Sequence, residues 1–258
     1  MTRGIFPILD WALMFRPILW NSRNARGRYS DCIDRAIEGR SMIGIAGDQA
    51  AAFLFVVVLG VLYWFPIRRW FSRWGTTPAD IARVMPGDAG IVNPTYAATL
   101  AITVNAWPED IWQWLVQMGY QRGGLYSYDW LDSLFGYLDG PSSNCILPEF
   151  QHLTVGDVIP VGRGGGFPVI AIEPYRALVL GGKGEGFQWV WQFGLYRFAE
   201  NRTRLVSRNS VRVPRTPGSW LFMRVIEPAA FLMTRRMLLG LQRRAEALAR
   251  RRATIRRS

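Results

Sequence analysis

Residues 107–136 read Trp107-Pro-Glu-Asp-Ile-Trp-Gln-Trp-Leu-Val-Gln-Met-Gly-Tyr120-Gln-Arg-Gly-Gly-Leu-Tyr-Ser-Tyr-Asp-Trp-Leu-Asp-Ser-Leu-Phe-Gly136. Two short helical patterns, both rich in aromatics, are joined by Gly123-Gly124. The first opens with Pro108, Glu109 and Asp110, a proline and two acids where the helix dipole favours them. Ile111, Trp112, Leu115 and Met118 give it one apolar face. In the second, Ser127 is placed to cap the helix, and Trp130, Leu131, Leu134 and Phe135 are apolar.

On the N-terminal side, Ala97 to Val104 alternates and predicts a strand. On the C-terminal side the period becomes two after Leu147-Pro-Glu-Phe150. Strands are expected at 155–161, 167–172, 177–180, 187–198 and 203–213, separated by glycine or Glu-Asn-Arg turns. That is the pattern of an antiparallel meander. Pro214-Arg-Thr-Pro-Gly218 ends it. From Ser219 a helix runs to about Arg251, with Pro228 at a kink or restart. Phe231, Leu238, Leu241, Ala245 and Leu248 share one face. The fold class is therefore α+β, with one antiparallel sheet, two short helices after its first strand, and a long C-terminal helix.

Further out, Gln49 to Ile67 carries no charge and approaches the ~20 residues needed to cross a bilayer. Tyr63 and Trp64 stand where an aromatic belt would lie, and Arg68, Arg69 and Arg73 follow. We expect a transmembrane helix at 49–67, a basic linker at 68–94 and the main domain at 95–251. An Arg-rich tail takes 252–258. Residues 1–48 form an N-terminal arm, partly helical over 31–42, whose first twenty residues read either as an interfacial helix or as a loosely ordered segment. A single-pass membrane protein with a cytoplasmic main domain is the expected topology.

The chain has 258 residues, is half hydrophobic, contains 12 Trp and carries a formal net charge of +12. The basic excess is local. Residues 217–258 hold 10 Arg against 2 Glu, whereas residues 84–216 hold 10 basic and 11 acidic residues. No nucleic-acid motif accompanies the arginines, so no nucleic-acid partner is expected; an anionic membrane surface is the favoured partner for the C-terminal Arg residues. Cys32 and Cys145 make neither a disulfide framework nor a metal spacing.

Chemistry-bearing patterns are sparse. His152 is the one histidine in the sequence, and Cys145 lacks a nucleophile motif, so neither a catalytic triad nor a zinc site is expected. Asp129 and Asp132 lie on one helical face and suit the helix N-terminus better than opposed acid–base work. Gly162 to Gly166 leads into a strand, not into a helix with Lys-Ser/Thr, and reads as a hairpin loop. Lys183 lies in a similar turn. Glu149, Tyr126, Tyr128 and Arg208 are the groups that could offer protons to a pocket. No catalytic residue, cofactor or metal is assigned.

Ile102-Thr-Val-Asn-Ala-Trp-Pro-Glu-Asp-Ile-Trp112 resembles the opening strand and helix start of the SRPBCC superfamily. This is the helix-grip group that includes START lipid-transfer domains, birch-pollen-allergen-like proteins and polyketide cyclase/dehydrase-like proteins. Gly123 to Leu131, Ile146 to Gln151, Val155-Gly-Asp157, Trp189-Val-Trp191 and Thr203 to Arg208 are similar to an actinobacterial-type branch. The resemblance covers roughly residues 95–250. It implies a curved sheet gripping the last helix, with a cavity between them. Strand parity then assigns the lining. Trp189, Trp191, Phe193 and Leu195 share a face, as do Leu205, Ser207, Asn209 and Val211, while Arg204, Arg208 and Arg212 take the other. Tyr126, Tyr128 and Trp130 are expected at the entrance, Glu149 near it, and Phe231 on the helix wall. An apolar small molecule or lipid is the implied ligand. A cyclase/dehydratase-like enzyme and a non-catalytic interaction module are the alternatives, and the aromatic row could also simply fill the core.

Overall fold

The computed structural model describes residues 42–184 and 186–255. The expected N-terminal arm up to residue 41, its helix over most of 31–42, and residues 256–258 of the tail lie outside them. The described residues divide between Arg69 and Trp70 into two units.

In the first unit, helix α1 (Met42–Leu62) passes through a wider turn at Tyr63–Ile67 into the start of α2 (Arg68–Ser72), which ends in the second unit. Pro66 lies inside that turn. A proline within a helix removes a donor and crowds the preceding turn. Here the strain is relieved by one extra residue, and the Arg68 amide reaches back to the Tyr63 carbonyl. Among the described residues one helical stretch, Asp48–Ser72, is long and apolar enough to cross a membrane by length and composition. It extends past the expected end at Ile67, because the arginines continue the helix instead of ending it.

The second unit begins at Trp70. After a short helix α3 (Pro78–Ala82) the order is β1 (Tyr96–Val104), α4 (Pro108–Val116), α5 (Asp129–Leu134), then β2 (Val158–Pro160), β3 (Gly166–Glu173), β4 (Ala177–Gly184), β5 (Phe187–Ala199), β6 (Arg202–Arg212) and α6 (Pro217–Ile255). The sheet order is β1-β6-β5-β4-β3-β2, and every pairing is antiparallel. The β5–β6 hairpin turns through Asn201 at φ +53°, a left-handed position asparagine tolerates. Gly162 to Gly166 is a hairpin loop, closed by the Val161 amide on the Gly165 carbonyl. α6 runs without interruption through Pro228. Ser127 does not cap α5. The N-cap position is Tyr128, with no side-chain cap, and the Ser127 hydroxyl is used elsewhere.

The two faces of the sheet are covered differently. On one face, Leu100, Ile102, Leu178, Leu180, Phe193 and Leu205 are buried beneath the helical layer. There α6 packs on α4 and β1, burying Leu238, Leu241 and Ala245. The other face is covered by residues 74–92, which the sequence reads as linker. They form a folded strap. Thr77 and Asp80 make a reciprocal capping box at the start of α3. Met85 packs on Ala101 and Val206, and Ile91 on Val179 and Val190. The folded domain therefore starts near Trp70, not Thr95.

Ion pairs hold the strap. Arg204 donates to Asp80 at 2.8 Å and to Thr103 Oγ1 at 3.2 Å. Burial alone would raise the Asp80 carboxyl, but its bonds from Arg204 and Thr77 outweigh that and hold it below its ordinary value. Arg208 spends all five guanidinium donors. Nε bonds Thr99 Oγ1, Nη1 bonds Asp88 and the Arg83 carbonyl, and Nη2 bonds the carbonyls of Asp80 and Ile81. Considered from sequence as a proton donor, Arg208 is a clamp on the far side of the sheet.

Candidate ligand-binding site

Alternation places Trp189, Trp191 and Phe193 of β5 on the helix-covered face, beside Ser207 and Asn209 of β6. The structure brings these five together. The indole N–H of Trp191 donates to Ser207 Oγ at 3.0 Å, and that of Trp189 to Asn209 Oδ1 at 2.9 Å. The two polar groups expected to meet a ligand are thus satisfied by the tryptophans, as buried polar groups must be. Phe167 of β3, which strand parity alone did not single out, completes the row. Its ring meets Trp189 edge-on at 4.4 Å and Trp191 at 5.7 Å, and Trp191 lies 5.0 Å from Phe193.

Burial grades along this row. Phe193 is 0% and Trp191 9% exposed, so they are core. Trp189 and Asn209 are half-buried, at the end of the sheet where β6 leads into α6.

The remaining expected lining residues are dispersed. Trp130 is 68% exposed on α5, and Glu149 is exposed on the turn Pro148–Phe150. Tyr128 is half-buried with the Arg236 guanidinium 5.3 Å over its ring. Phe231 meets Trp70 edge-on at 5.3 Å and stacks on Phe71 at 5.5 Å, so its place is against the segment that leads into the strap.

Tyr126, expected at an entrance, is interior. It adopts φ +58° and is almost wholly buried. Its ring lies 6.0 Å from Trp114 and 4.7 Å beneath Arg244. Arg244 itself donates to the carbonyls of Ser143 and Ser142. Burial pushes the Tyr126 hydroxyl well above its ordinary value. The Gln117 amide is its neighbour but makes no well-formed bond to it. Both close on Gly123, where a Cβ would lie 2.4 Å from the hydroxyl and 2.8 Å from Gln117 Nε2. Gly123 is therefore needed for close approach. Gln117, read from sequence as part of a helix, pins the following loop by bonding the Cys145 carbonyl and accepting from the Leu147 amide.

Asp132 is the second departure. It is 0% exposed, with Ser127 donating to one carboxylate oxygen and the other left without a partner among the described residues. Burial, opposed by Ser127 and reinforced by neighbouring Asp129, raises its pKa to about 6. Asp129 accepts from the Ser142 amide and hydroxyl. Trp114 Nε1, Arg122 Nε and the Tyr126 hydroxyl are likewise buried without partners. The 114–132 segment thus holds four orphaned polar atoms. Among the described residues no three His, Cys, Asp or Glu side chains gather as a metal would require.

The raised Asp132 pKa makes a stability statement. Between the ordinary 3.8 and about 6 the native state keeps a proton that the unfolded chain has lost. Its contribution to stability is therefore fully present below the ordinary value and is lost as pH rises through 6. Asp132→Asn is expected to stabilise the protein at pH 8 by about 1–2 kcal/mol. That is below the ~3 kcal/mol of a two-unit shift, since the amide leaves an orphan N–H in place of the orphan oxygen. The variant should also flatten the pH slope between 4 and 7. Urea unfolding at pH 5 and pH 8 checks this, and a slope equal to wild type would show that Asp132 stays ionised throughout.

No protein-family model and no curated protein matches the chain. Among solved structures, the Aha1 dimer from Colwellia psychrerythraea is similar at 22% identity and a TM-score of 0.35, over 59% of this chain and 97% of that one. Protein MLL2253 from Mesorhizobium loti is similar at 16% and 0.34, over 59% and 98%. CalU16 from Micromonospora echinospora is similar at 13% and 0.29, over 58% and 84%. Likenesses of this degree carry no functional inference. What stands on the chain's own geometry is an α+β domain, with a six-stranded antiparallel sheet, a long C-terminal helix and an aromatic row on one sheet face.

Proposed function

We propose that the chain is a membrane-anchored helix-grip domain that holds a lipid or other apolar small molecule between the aromatic sheet face and α6. The observation that carries this reading is the graded row Phe167–Trp191–Trp189. It is closed at Phe193 and half-open at Trp189, beside Asn209, whose Oδ1 already accepts from the Trp189 indole and whose amide N–H groups remain to donate. Apolar sites with few, well-placed polar groups suit such ligands. The charge-free helix before Arg68, Arg69 and Arg73 supports the anchor, with those arginines on the cytoplasmic side.

Full-length protein in nanodiscs should bind an apolar fluorophore, and lipid extracted from the purified protein should compete with it. Trp189→Ala should weaken binding by about tenfold, roughly 1.4 kcal/mol, while Trp130→Ala leaves it unchanged. Binding indifferent to Trp189 would place the ligand elsewhere or remove it.

A second reading, a cyclase/dehydratase-type enzyme, draws on Asp132. A buried carboxyl titrating near 6 with a free oxygen suits proton transfer. Turnover that is lost in Asp132→Asn while ligand binding persists would favour it. The module docking anionic lipid through C-terminal arginines is weakened by the packing of two of them. Arg244 is held by backbone carbonyls and Arg252 pairs with buried Asp110.

A further inference from the structure

We infer that the N-terminal half of α6, residues 217–232, lies in the membrane interface with its outward face among the lipids, as a second anchor for the domain. The inference rests on the membrane reading of Asp48–Ser72 and adds a surface to it.

At 100° per residue, Met223, Glu227 and Phe231 fall on one side of this helix segment, and all three are buried. Leu221, Phe222, Val225, Ile226 and Leu232 fall on the opposite side, and all are exposed, Val225 at 67%. A helix on the surface of a water-soluble domain turns its polar face outward. This one turns five large apolar side chains outward, the kind of contiguous patch that marks an interaction site. The C-terminal half of the same helix does not. There Leu238, Leu241 and Ala245 are buried and Arg243, Arg250 and Arg251 are exposed.

Connectivity selects the bilayer as occupant. Phe231 stacks on Phe71 and meets Trp70 edge-on. Those two residues follow Ile67 by three and four positions, about 5 Å along a helix. The side chains that Phe231 touches are thus covalently tethered within a few residues of the end of the span. Trp220, about 16 Å along α6 from Phe231, is half-exposed, as interfacial tryptophans are. The surrounding charges suit an anionic surface. Arg69, Arg73 and Arg215 are exposed, Arg235 lies 4.8 Å over Trp74, and the acid in this segment, Glu227, is buried against Arg224.

The test uses full-length protein with Cys32→Ser and Cys145→Ser, carrying Val225→Cys or Leu221→Cys and, as reference, Glu200→Cys in the β5–β6 turn. Each is labelled with an environment-sensitive dye and placed in phosphatidylcholine/phosphatidylglycerol nanodiscs. Labels at 225 and 221 should be blue-shifted, quenched several-fold more by brominated lipid than the label at 200, and shielded from aqueous iodide. Incorporation with iodide quenching at 225 equal to that at 200 overturns the second anchor and leaves the span intact. Shielding from both quenchers shows a protein or small-molecule occupant and also overturns it. A protein that carbonate extracts from membranes and that enters no nanodisc sinks the anchor and the span together.

Discussion

Arg208→Met is expected to destabilise the domain by about 3–5 kcal/mol, the range for removing one partner of a buried ion pair. Arg208 is buried, and its five donors reach Thr99, Asp88 and three backbone carbonyls of the strap. Methionine fills much of the volume but leaves those carbonyls and one Asp88 oxygen short of partners. Asp88 would keep its bonds from Gln192 and the Met85 amide but lose its guanidinium partner. Arg208→Lys should recover only part of the loss, because an ammonium offers three donors from one point where the site is built for a planar fork. At about 2–4 °C per kcal/mol for a domain of this size, the midpoint falls by roughly 10 °C. Thermal unfolding reads the loss, and limited trypsinolysis reads its location, since cleavage after Arg83 should rise as the strap lifts. A variant melting with wild type would mean that strap and sheet are not energetically coupled through this residue.

Gly240→Ala should destabilise by about 3 kcal/mol, at the upper end of overpacking costs. Helix propensity predicts the opposite sign, since a mid-helix glycine costs about 1 kcal/mol relative to alanine. The reason is contact. A Cβ at 240 would stand 2.2 Å from the Tyr126 carbonyl oxygen and 3.0 Å from its Cβ. Neither can swing aside. Tyr126 is held in a left-handed conformation, with its amide donating to Ser142 and its ring between Trp114 and Arg244. The helix or the 119–143 loop must shift instead. A stabilised Gly240→Ala protein would show that α6 does not press on Tyr126. The same variant should perturb near-ultraviolet circular dichroism more than far-ultraviolet, because rings move while the helix persists.

These two residues mark where local pattern stops informing. The strands were legible because alternation, glycine turns and the Glu200-Asn201 tip are local signals. α4 was legible because Pro108 and two acids make a local start. The strap was not. Thr76-Thr-Pro and Pro86-Gly-Asp are turn chemistry wherever they occur. What makes them structure is Arg204 and Arg208, more than 100 residues later, meeting Asp80 and Asp88. Alternation had put both arginines on the face away from the helices, but gave no hint of what would meet them there.

The candidate site divides in the same way. Parity put Trp189, Trp191 and Phe193 on one face of their strand and Ser207 and Asn209 on one face of the next, and the register sets Trp191 opposite Asn209 and Phe193 opposite Ser207. It could not foresee that Ser207 and Asn209 would each accept an indole N–H. Phe231 shares a face with Leu238 and Leu241 by periodicity, yet packs on Trp70 and Phe71, because a 39-residue helix is longer than the sheet it covers. Asp132 sits three residues after Asp129, and the spacing alone suggested a solvated first turn. Instead it is wholly buried, with Ser127 bonded to its carboxylate.

By itself the sequence determined the class, the order of elements, the strand faces and the charge-free helix, because each follows from a period or composition within about twenty residues. Tertiary structure alone decided that residues 74–92 belong to the domain, that Tyr126 and Asp132 are interior, and that α6 turns an apolar face outward over its first half. Those outcomes depend on what lies opposite a side chain, and burial of a charge or exposure of a leucine is set by the opposing surface, not by the residue's own neighbours in sequence.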